Sequence, residues 1–257
     1  MTRPVLATGA VSAHGLPRSD PSVDALSDAL RQTIAQHWTR RVTSELQVSY
    51  SFEALLPRLR VLDADATVLA MVARSATEEQ RHAELCLHLA NVYAGRRVDV
   101  PPVPFALPSF GFDDEHLEVA LHIAGLCCIN ETMATAYLEH SLALATAPIA
   151  VAAHRAHLRE EVDHARLGWA HLASPAVSDE TRAALARCVP RLLDANVPLW
   201  ERPDAFLPSA GVPDHGLPSH ADCVRVARAA VNELVLPGFR HVRVPVGAWR
   251  NALPGRD

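Results

Sequence analysis

The chain has 257 residues, of which 49% are hydrophobic, 21% charged and only 5% aromatic. This composition is that of a globular protein with a sizeable core, and it excludes collagen-like, mucin-like and short disulfide-stapled classes. The formal net charge of −5 shows no broad basic surface for nucleic acid or an anionic membrane. Because there is no Cys-x-x-Cys pair, signal-peptide run or long apolar run, we expect a cytoplasmic protein without a membrane span.

Helical periodicity dominates the first two thirds of the chain. Residues 1–21 contain scattered Gly and Pro and are predicted to form an extended arm. Four long runs follow, each bounded by helix-capping or helix-breaking residues such as Pro57 and Gly95. The predicted helices are residues 22–56, residues 64–93 after a cap at Asp63 or Asp65, a run from Asp113 or Asp114 to about 145, and residues 148–172 after a cap at Thr146.

These runs form two helical hairpins joined by one long Pro-rich connection. That connectivity predicts an all-α protein, a ferritin-like four-helix bundle with a single long crossover, over residues 22–174. The remaining residues, 175–257, are predicted to be a helical extension that packs on the bundle. Its helices are expected at 178–193 and 219–234, and the chain after residue 235 is expected to be irregular.

Two Glu-x-x-His elements are the strongest chemical signal in the sequence. Glu79 and His82 lie in the second predicted helix, and Glu161 and His164 lie in the fourth. A spacing of three residues places both side chains on one face of a helix. One such element is weak evidence, because composition alone produces matches.

The hairpin geometry adds two carboxylates to this pair of elements. Residues equidistant from a hairpin turn lie at the same height, so Glu45 should face Glu79 and Glu131 should face Glu161. Glu53 lies near the turn and is rejected as a ligand. Four carboxylates and two imidazoles at mid-height on four helices form the arrangement of a di-iron or di-manganese carboxylate site. The six predicted metal ligands are Glu45, Glu79, His82, Glu131, Glu161 and His164.

The pattern resembles the ferritin-like di-iron superfamily, which repeats E…(D/E)-E-x-R-H. The first copy is Glu45 followed by EEQRH at 78–82, a full match, and the second is Glu131 followed by EEVDH at 160–164. Asp163 stands where the pattern usually has Arg. The resemblance covers about residues 25–172, and it implies that the acid preceding each ligating Glu orients a metal-bound His of the opposite half. Those two acids are Glu78 and Glu160.

A further histidine sharpens the resemblance. His157 lies four residues before Glu161 on the same helix face, a spacing similar to that of the AurF-type arylamine N-oxygenases, in which an additional His binds one iron. The resemblance therefore implies a seventh ligand at His157. The alternative interpretation is a hydrogen-bonded His at the rim of the site.

Three small residues are expected to point towards the metals. Cys86 lies one turn beyond His82, Cys127 one turn before Glu131, and Thr135 one turn beyond Glu131. They are candidates for an oxygen and substrate pocket, and plain core packing is the alternative for each of them.

By this resemblance we expect a non-haem di-iron oxygenase. Two Fe ions, with Mn as an alternative, would take electrons from an external donor protein or reductant and activate O2 through a peroxo-diferric intermediate. The substrate would be a small organic molecule, with N-oxygenation of an amine as the first choice because of His157. C-hydroxylation and desaturation are the alternatives within the superfamily.

Two other classes of function stay open at this stage. A ferritin-like or rubrerythrin-like ferroxidase or peroxidase is disfavoured by the long C-terminal extension and by the absence of Cys pairs. A metal-free helical binding protein would require four acids at matched heights by coincidence. Whether the chain forms a homodimer is also left open.

Overall fold

The computed structural model describes residues 15–249, and this part of the chain is helical without a regular β-strand. The α-helices are α1 Pro21–Asp24, α2 Asp28–Val61, α3 Ala66–Ala94, α4 Glu115–Ile123, α5 Thr132–Leu144, α6 Pro148–Ala173, α7 Asp179–Glu201, α8 His220–Ala230 and α9 Leu236–His241. Two π-helical segments join consecutive helices, Ala124–Glu131 between α4 and α5 and Val231–Val235 between α8 and α9.

Two hairpins build the bundle. Helix α2 packs along α3 after the short turn 62–65, and α5 packs along α6 after the turn 145–147. Asp65 caps α3 by accepting a hydrogen bond from Thr67 N, and Gly95 ends α3 in the left-handed conformation. The connection 95–114 then carries the chain to α4, which Asp114 caps. The all-helical architecture and the long connection between the hairpins agree with the prediction.

The predicted limits of the first helix are wrong at both ends. The chain makes the single turn α1, breaks at 25–27, and starts again at Asp28 under the cap of Ser27. Helix α2 then continues through Pro57 to Val61. Leu55 and Leu59 are fully buried on either side of Pro57, so packing of the last turn outweighs the hydrogen bond that proline cannot donate.

Three other sequence-based limits also need correction. Helix α7 continues through two prolines to Glu201, because Leu193 and Val197 remain buried along it. Residues 236–241 are helical rather than irregular, since Phe239 is fully buried. Thr146 does not cap α6: its hydroxyl donates to Asp214, and the N-cap position belongs to Ala147.

The helices outside the bundle share its core. Leu185 and Val189 of α7 lie in the same hydrophobic cluster as Leu121 of α4 and Val235 of the second π segment. The N-terminal arm lies outside the described residues up to position 14. The described part that follows packs on the bundle, where the Asp20 carboxylate accepts a hydrogen bond from the backbone of α6.

A polar layer divides the bundle between two hydrophobic clusters. On α3 one cluster ends at Ala76 and the other begins at Ala83; on α6 the corresponding limits are Leu167 and Ala153. Both Glu-x-x-His elements fall inside these intervals. The sequence therefore places its ionisable residues where the apolar core is interrupted.

One helical stretch, Glu115–Leu144, is long and apolar enough to cross a membrane by length and composition. Within its apolar window, 72% of the residues are buried inside the protein. The core helix of a bundle passes the same test, so this stretch is weak evidence for a membrane span. No other such helix occurs between residues 15 and 249.

Candidate metal centre

The two Glu-x-x-His elements meet in the polar layer. The candidate ligand atoms of Glu79, His82, Glu161 and His164 all lie within 4.8 Å of one another. His164 Nδ1 is 2.7 Å from Glu79 Oε1, and His82 Nδ1 is 3.5 Å from Glu161 Oε2. All four side chains are almost completely buried. This buried Glu/His group could hold a metal ion.

Several atoms of this group lie against one another without good hydrogen-bond geometry. Glu79 Oε1 and Glu161 Oε2 lie 2.7 and 3.4 Å from His164 Nδ1, and all three atoms are buried without a partner in hydrogen-bond geometry. Buried polar atoms are nearly always hydrogen-bonded, so these three atoms need a physical explanation. Once His164 loses its proton, the three atoms can serve together as ligands of one cation.

A second group shares one member with the first. Glu45 of α2, His82 and His157 of α6 also bring their candidate ligand atoms within 4.8 Å of one another. The rings of His82 and His157 are 4.0 Å apart, and His157 Nε2 is 3.7 Å from Glu161 Oε2. Burial and the neighbouring His82 lower the pKa of His157 well below its usual value, so this imidazole is neutral. Glu53, by contrast, lies on the surface, where it accepts a hydrogen bond from Gln80.

Glu131 completes the cluster from the π-helical segment, of which it is the last residue. Burial raises the pKa of Glu131 well above its usual range, and Glu161 and Glu79 raise it further. The protonated Glu131 carboxyl hydrogen-bonds to Glu161. A π segment shifts the register of all side chains that follow it, and such segments occur frequently at functional sites.

The π segment is fixed by a polar network that involves α7. Asn130 Nδ2 donates to the carbonyl of Gly125 at 2.9 Å and to Asn196 Oδ1 at 2.7 Å. Trp200 Nε1 donates to Asn130 Oδ1 at 2.9 Å. Helix α7 therefore holds the backbone that carries Glu131.

The outer carboxylates contact the histidines across the bundle. Glu78 Oε2 is 3.0 Å from His164 Nε2, and Glu160 Oε2 is 3.2 Å from His82 Nε2. Each carboxylate thus contacts the histidine of the other Glu-x-x-His element. Carboxylates in this position set the orientation and basicity of a metal-bound imidazole.

Arginines surround these outer carboxylates. Arg81 Nη2 donates to Glu160 at 2.8 Å, and Arg74 Nη2 donates to Asp163 at 2.8 Å. Arg74 also lies 3.4 Å from Glu78. Asp163, which stands where the E-E-x-R-H pattern has Arg, therefore forms an ion pair with Arg74 of α3.

In the metal-free protein the two histidines hold protons. Burial alone would lower the pKa of His82, but Glu79 and Glu160 raise it to about 10. The pKa of His164 is likewise raised by Glu161, Glu78 and Glu79 despite burial. Metal ions displace protons from such groups, so binding in this cluster is coupled to pH.

The three small residues lie in different surroundings. Cys86 is fully buried with Sγ 4.0 Å from Glu45 Oε1, and burial raises the pKa of its thiol well above its usual value. Cys127 is also fully buried. Thr135 is half-buried, and its hydroxyl donates to the Glu131 carbonyl at 2.8 Å. Cys127 packs closely against Gly168, since an added Gly168 Cβ would lie 2.6 Å from Cys127 Cβ, and it also lies within electrostatic range of Glu131 and Glu79.

Sequence reasoning missed Arg41, which contacts this site. Its Nη2 lies 2.6 Å from Glu45 Oε1, and its guanidinium hydrogen-bonds to Cys86. Burial raises the pKa of Glu45 to about 7 even though Arg41 opposes the shift. Arg41 precedes Glu45 by four residues, so the i, i+4 rule could have placed it on the site-facing side of α2.

No family model, curated protein or solved structure matches this chain. The feature that points to a function is the buried Glu/His cluster, which could hold a metal ion in the helical structure.

Proposed function

We propose that this protein is a non-haem di-iron oxygenase of the ferritin-like type. The observation that carries the proposal is the pair of candidate ion groups that share His82, one with Glu79, Glu161 and His164 and one with Glu45 and His157. Glu131 adds a carboxylate beside Glu161. The proposed ligands are Glu45, Glu79, His82, Glu131, His157, Glu161 and His164.

The chemistry of the donor set fits two divalent ions. Two divalent cations balance the charge of four carboxylates, and they would replace the protons that His82, His164 and Glu131 otherwise hold. Oxygen-rich ligation with imidazole nitrogens suits Fe or Mn rather than a thiolate-selected metal.

The metal pair, when bound, would supply the reduction of O2 with electrons from an external donor. The protein would hold the ions with its carboxylates and imidazoles, fix the imidazoles through Glu78 and Glu160, and exclude water with its apolar clusters. We propose a small organic substrate, with N-oxygenation of an amine ahead of C-hydroxylation or desaturation. His157 favours N-oxygenation through the resemblance to the AurF-type N-oxygenases, and its neutral imidazole, which lies against His82, is able to add a nitrogen ligand.

The experiment is anaerobic Fe(II) titration followed by O2 addition in the presence of a panel of amines. We expect two Fe(II) per chain and formation of an N-oxygenated product. Glu161→Ala should abolish binding of the metal pair, whereas Glu53→Gln, which changes an exposed acid of α2, should bind two Fe(II) as the wild type does.

The other outcomes reject specific parts of the proposal. Two irons that O2 oxidises without any organic product, followed by release or mineralisation of Fe(III), would replace the oxygenase with a ferroxidase. Absence of stable iron or manganese binding would refute the metal centre and leave a helical bundle.

A further inference from the structure

The π segment Ala124–Glu131 ends on a candidate metal ligand and runs for eight residues. Long π-helices are rare, since most π-helical turns occur singly within α-helices. A segment of this length therefore depends on contacts with other helices. A π turn holds one residue more than an α turn, and one residue corresponds to about 100° of rotation. Because Glu131 is the last residue of the segment, the direction of its side chain depends on whether the π form is kept.

Helix α6 approaches the segment so closely that only a glycine fits between them. An added Cβ at Gly168 would lie 2.6 Å from Cys127 Cβ and 3.1 Å from the backbone nitrogen of Cys128. Gly168 follows His164 by one turn of α6, and glycine permits such an approach because it has no side chain. Direct backbone contact therefore sets the distance between the segment and the Glu-x-x-His element of α6.

Helix α7 holds the segment through the amide of Asn130. The Asn130 nitrogen donates to the Gly125 carbonyl, inside the segment, and to Asn196 Oδ1. The Asn130 oxygen accepts from Trp200 Nε1, and Asn196 in turn donates to the Leu192 carbonyl of its own helix. All hydrogen-bonding groups of the Asn130 amide except the second lone pair of its oxygen are thus used, and a flipped amide would set donor against donor. The network is satisfied in one arrangement.

We propose that Asn130 is a positioning residue of the metal centre, because its amide keeps the segment in the π form and thereby holds Glu131 against Glu161. Asn130 directly precedes Glu131, whose carboxyl hydrogen-bonds to Glu161 across the bundle. Asn130 therefore acts through the backbone of the residue that follows it. This inference rests on the proposed metal centre and adds to it a residue that determines whether Glu131 can bind an ion.

Asn130→Asp is the decisive variant, because it keeps the shape of the side chain and removes both of its donors. The Asp carboxylate can still accept from Trp200, but it places an oxygen against the Gly125 carbonyl. A side chain that only filled space would tolerate this exchange. Asn232→Asp is the matched control: Asn232 lies in the other π segment, is exposed, and donates to the Arg228 carbonyl of its own helix.

The first measurement is hydrogen exchange of the metal-free protein, followed by mass spectrometry of peptides that cover residues 124–131. Asn130→Asp should exchange these amides about tenfold or more faster than the wild type, since two hydrogen bonds that hold the segment are lost. Peptides that cover residues 231–235 should exchange at the wild-type rate in this variant. They show whether the effect is confined to the segment.

The second measurement is Mn(II) binding in competition with a chelator, combined with electron paramagnetic resonance of the bound ions. The wild type should bind two ions and give the spectrum of an exchange-coupled pair. Asn130→Asp should bind the second ion about 10–100-fold more weakly and give the spectrum of isolated Mn(II) at one ion per chain. Asn232→Asp should match the wild type in both respects.

Trp200→Phe provides a second variant that adds no charge. It removes the hydrogen bond to Asn130 Oδ1 and keeps an aromatic ring. Both the exchange rate and the affinity for the second ion should change in the same direction as in Asn130→Asp, by a smaller factor. This variant decides the question if Asn130→Asp does not fold.

The outcomes separate the two proposals. A wild-type chain that binds no pair of Mn(II) or Fe(II) ions refutes the proposed metal centre, and hydrogen exchange then still decides whether Asn130 holds the segment. A chain that binds a pair refutes the positioning role if Asn130→Asp keeps the wild-type affinity for the second ion. Exchange of residues 124–131 at the wild-type rate in Asn130→Asp refutes the inference with or without metal, because another contact then holds the segment.

Discussion

Replacing Glu131 by Gln separates the stability that metal ions provide from the stability of the fold. In the metal-free protein Glu131 is protonated, because burial raises its pKa, and it hydrogen-bonds to Glu161. The Gln amide has a similar shape and also donates a hydrogen bond. We therefore expect the free energy of unfolding of the metal-free variant to stay within about 1 kcal/mol of the wild-type value.

With metal present the two proteins should differ. An ion at 100 times its Kd stabilises the folded state by about 2.7 kcal/mol. If Glu131→Gln prevents one ion from binding, that amount is lost. For a chain of this size, 1 kcal/mol corresponds to about 2–4 °C in Tm, so the loss is about 5–11 °C.

The assay is thermal unfolding by circular dichroism in chelator and in Mn(II), for the wild type, Glu131→Gln and Glu139→Gln. Glu139 is an exposed acid of the same helix, so its substitution should change neither Tm. Equal Mn(II)-induced shifts in the wild type and Glu131→Gln would refute the role of Glu131 as a ligand. A much lower Tm of Glu131→Gln in chelator would contradict the protonated state.

Four further predictions follow from the same contacts. The imidazoles and carboxyls with raised pKa values must lose protons to bind metal, so metal affinity should rise with pH. Calorimetry at pH 7 in buffers of different ionisation enthalpy should show that metal binding releases about two or more protons. Release of no protons would contradict the protonation described above. Glu78→Gln weakens the contact with His164 and should lower metal affinity about 10–100-fold in competition with a chelator, whereas unchanged affinity would reject that contact as functional. His157→Ala should keep two ions but slow O2 consumption about tenfold or more in an oxygen electrode; a wild-type rate would remove His157 from the ligand set. Gly168→Ala places a methyl group 2.6 Å from Cys127 Cβ and should lower the free energy of unfolding, measured by urea denaturation, by about 1–3 kcal/mol. A urea midpoint equal to that of the wild type would show that the core adjusts to the methyl group.

Local sequence signals predicted the parts of the fold that depend on neighbouring residues. Asp65 and Gly95 mark the ends of α3, because capping and the left-handed conformation are decided within one turn. The positions of the hairpin turns also follow from the sequence. They predict that Glu45 and Glu131 lie at the height of the Glu-x-x-His elements, and the structure buries both in the same polar layer.

The features that depend on tertiary packing could not be predicted from the sequence. Helix α2 passes through Pro57 because buried leucines on both sides hold it, and no local rule weighs that burial against a lost hydrogen bond. The π segment that ends at Glu131 depends on Asn130. The Asn130 side chain donates a hydrogen bond to Asn196, a residue 66 positions further along the chain. Arg41 was missed although it precedes Glu45 by four residues, because its contact with Cys86 of α3 exists only after the two helices pack.

Anomalous diffraction from crystals loaded anaerobically with Fe(II) is the most direct test of the proposed metal centre. We expect two iron peaks about 3.5–4 Å apart in the polar layer. One peak should lie among Glu79, Glu161 and His164, and the other on the side of Glu45 and His157. Fully loaded crystals with no peak in this layer, or with only one, would refute the proposed metal pair.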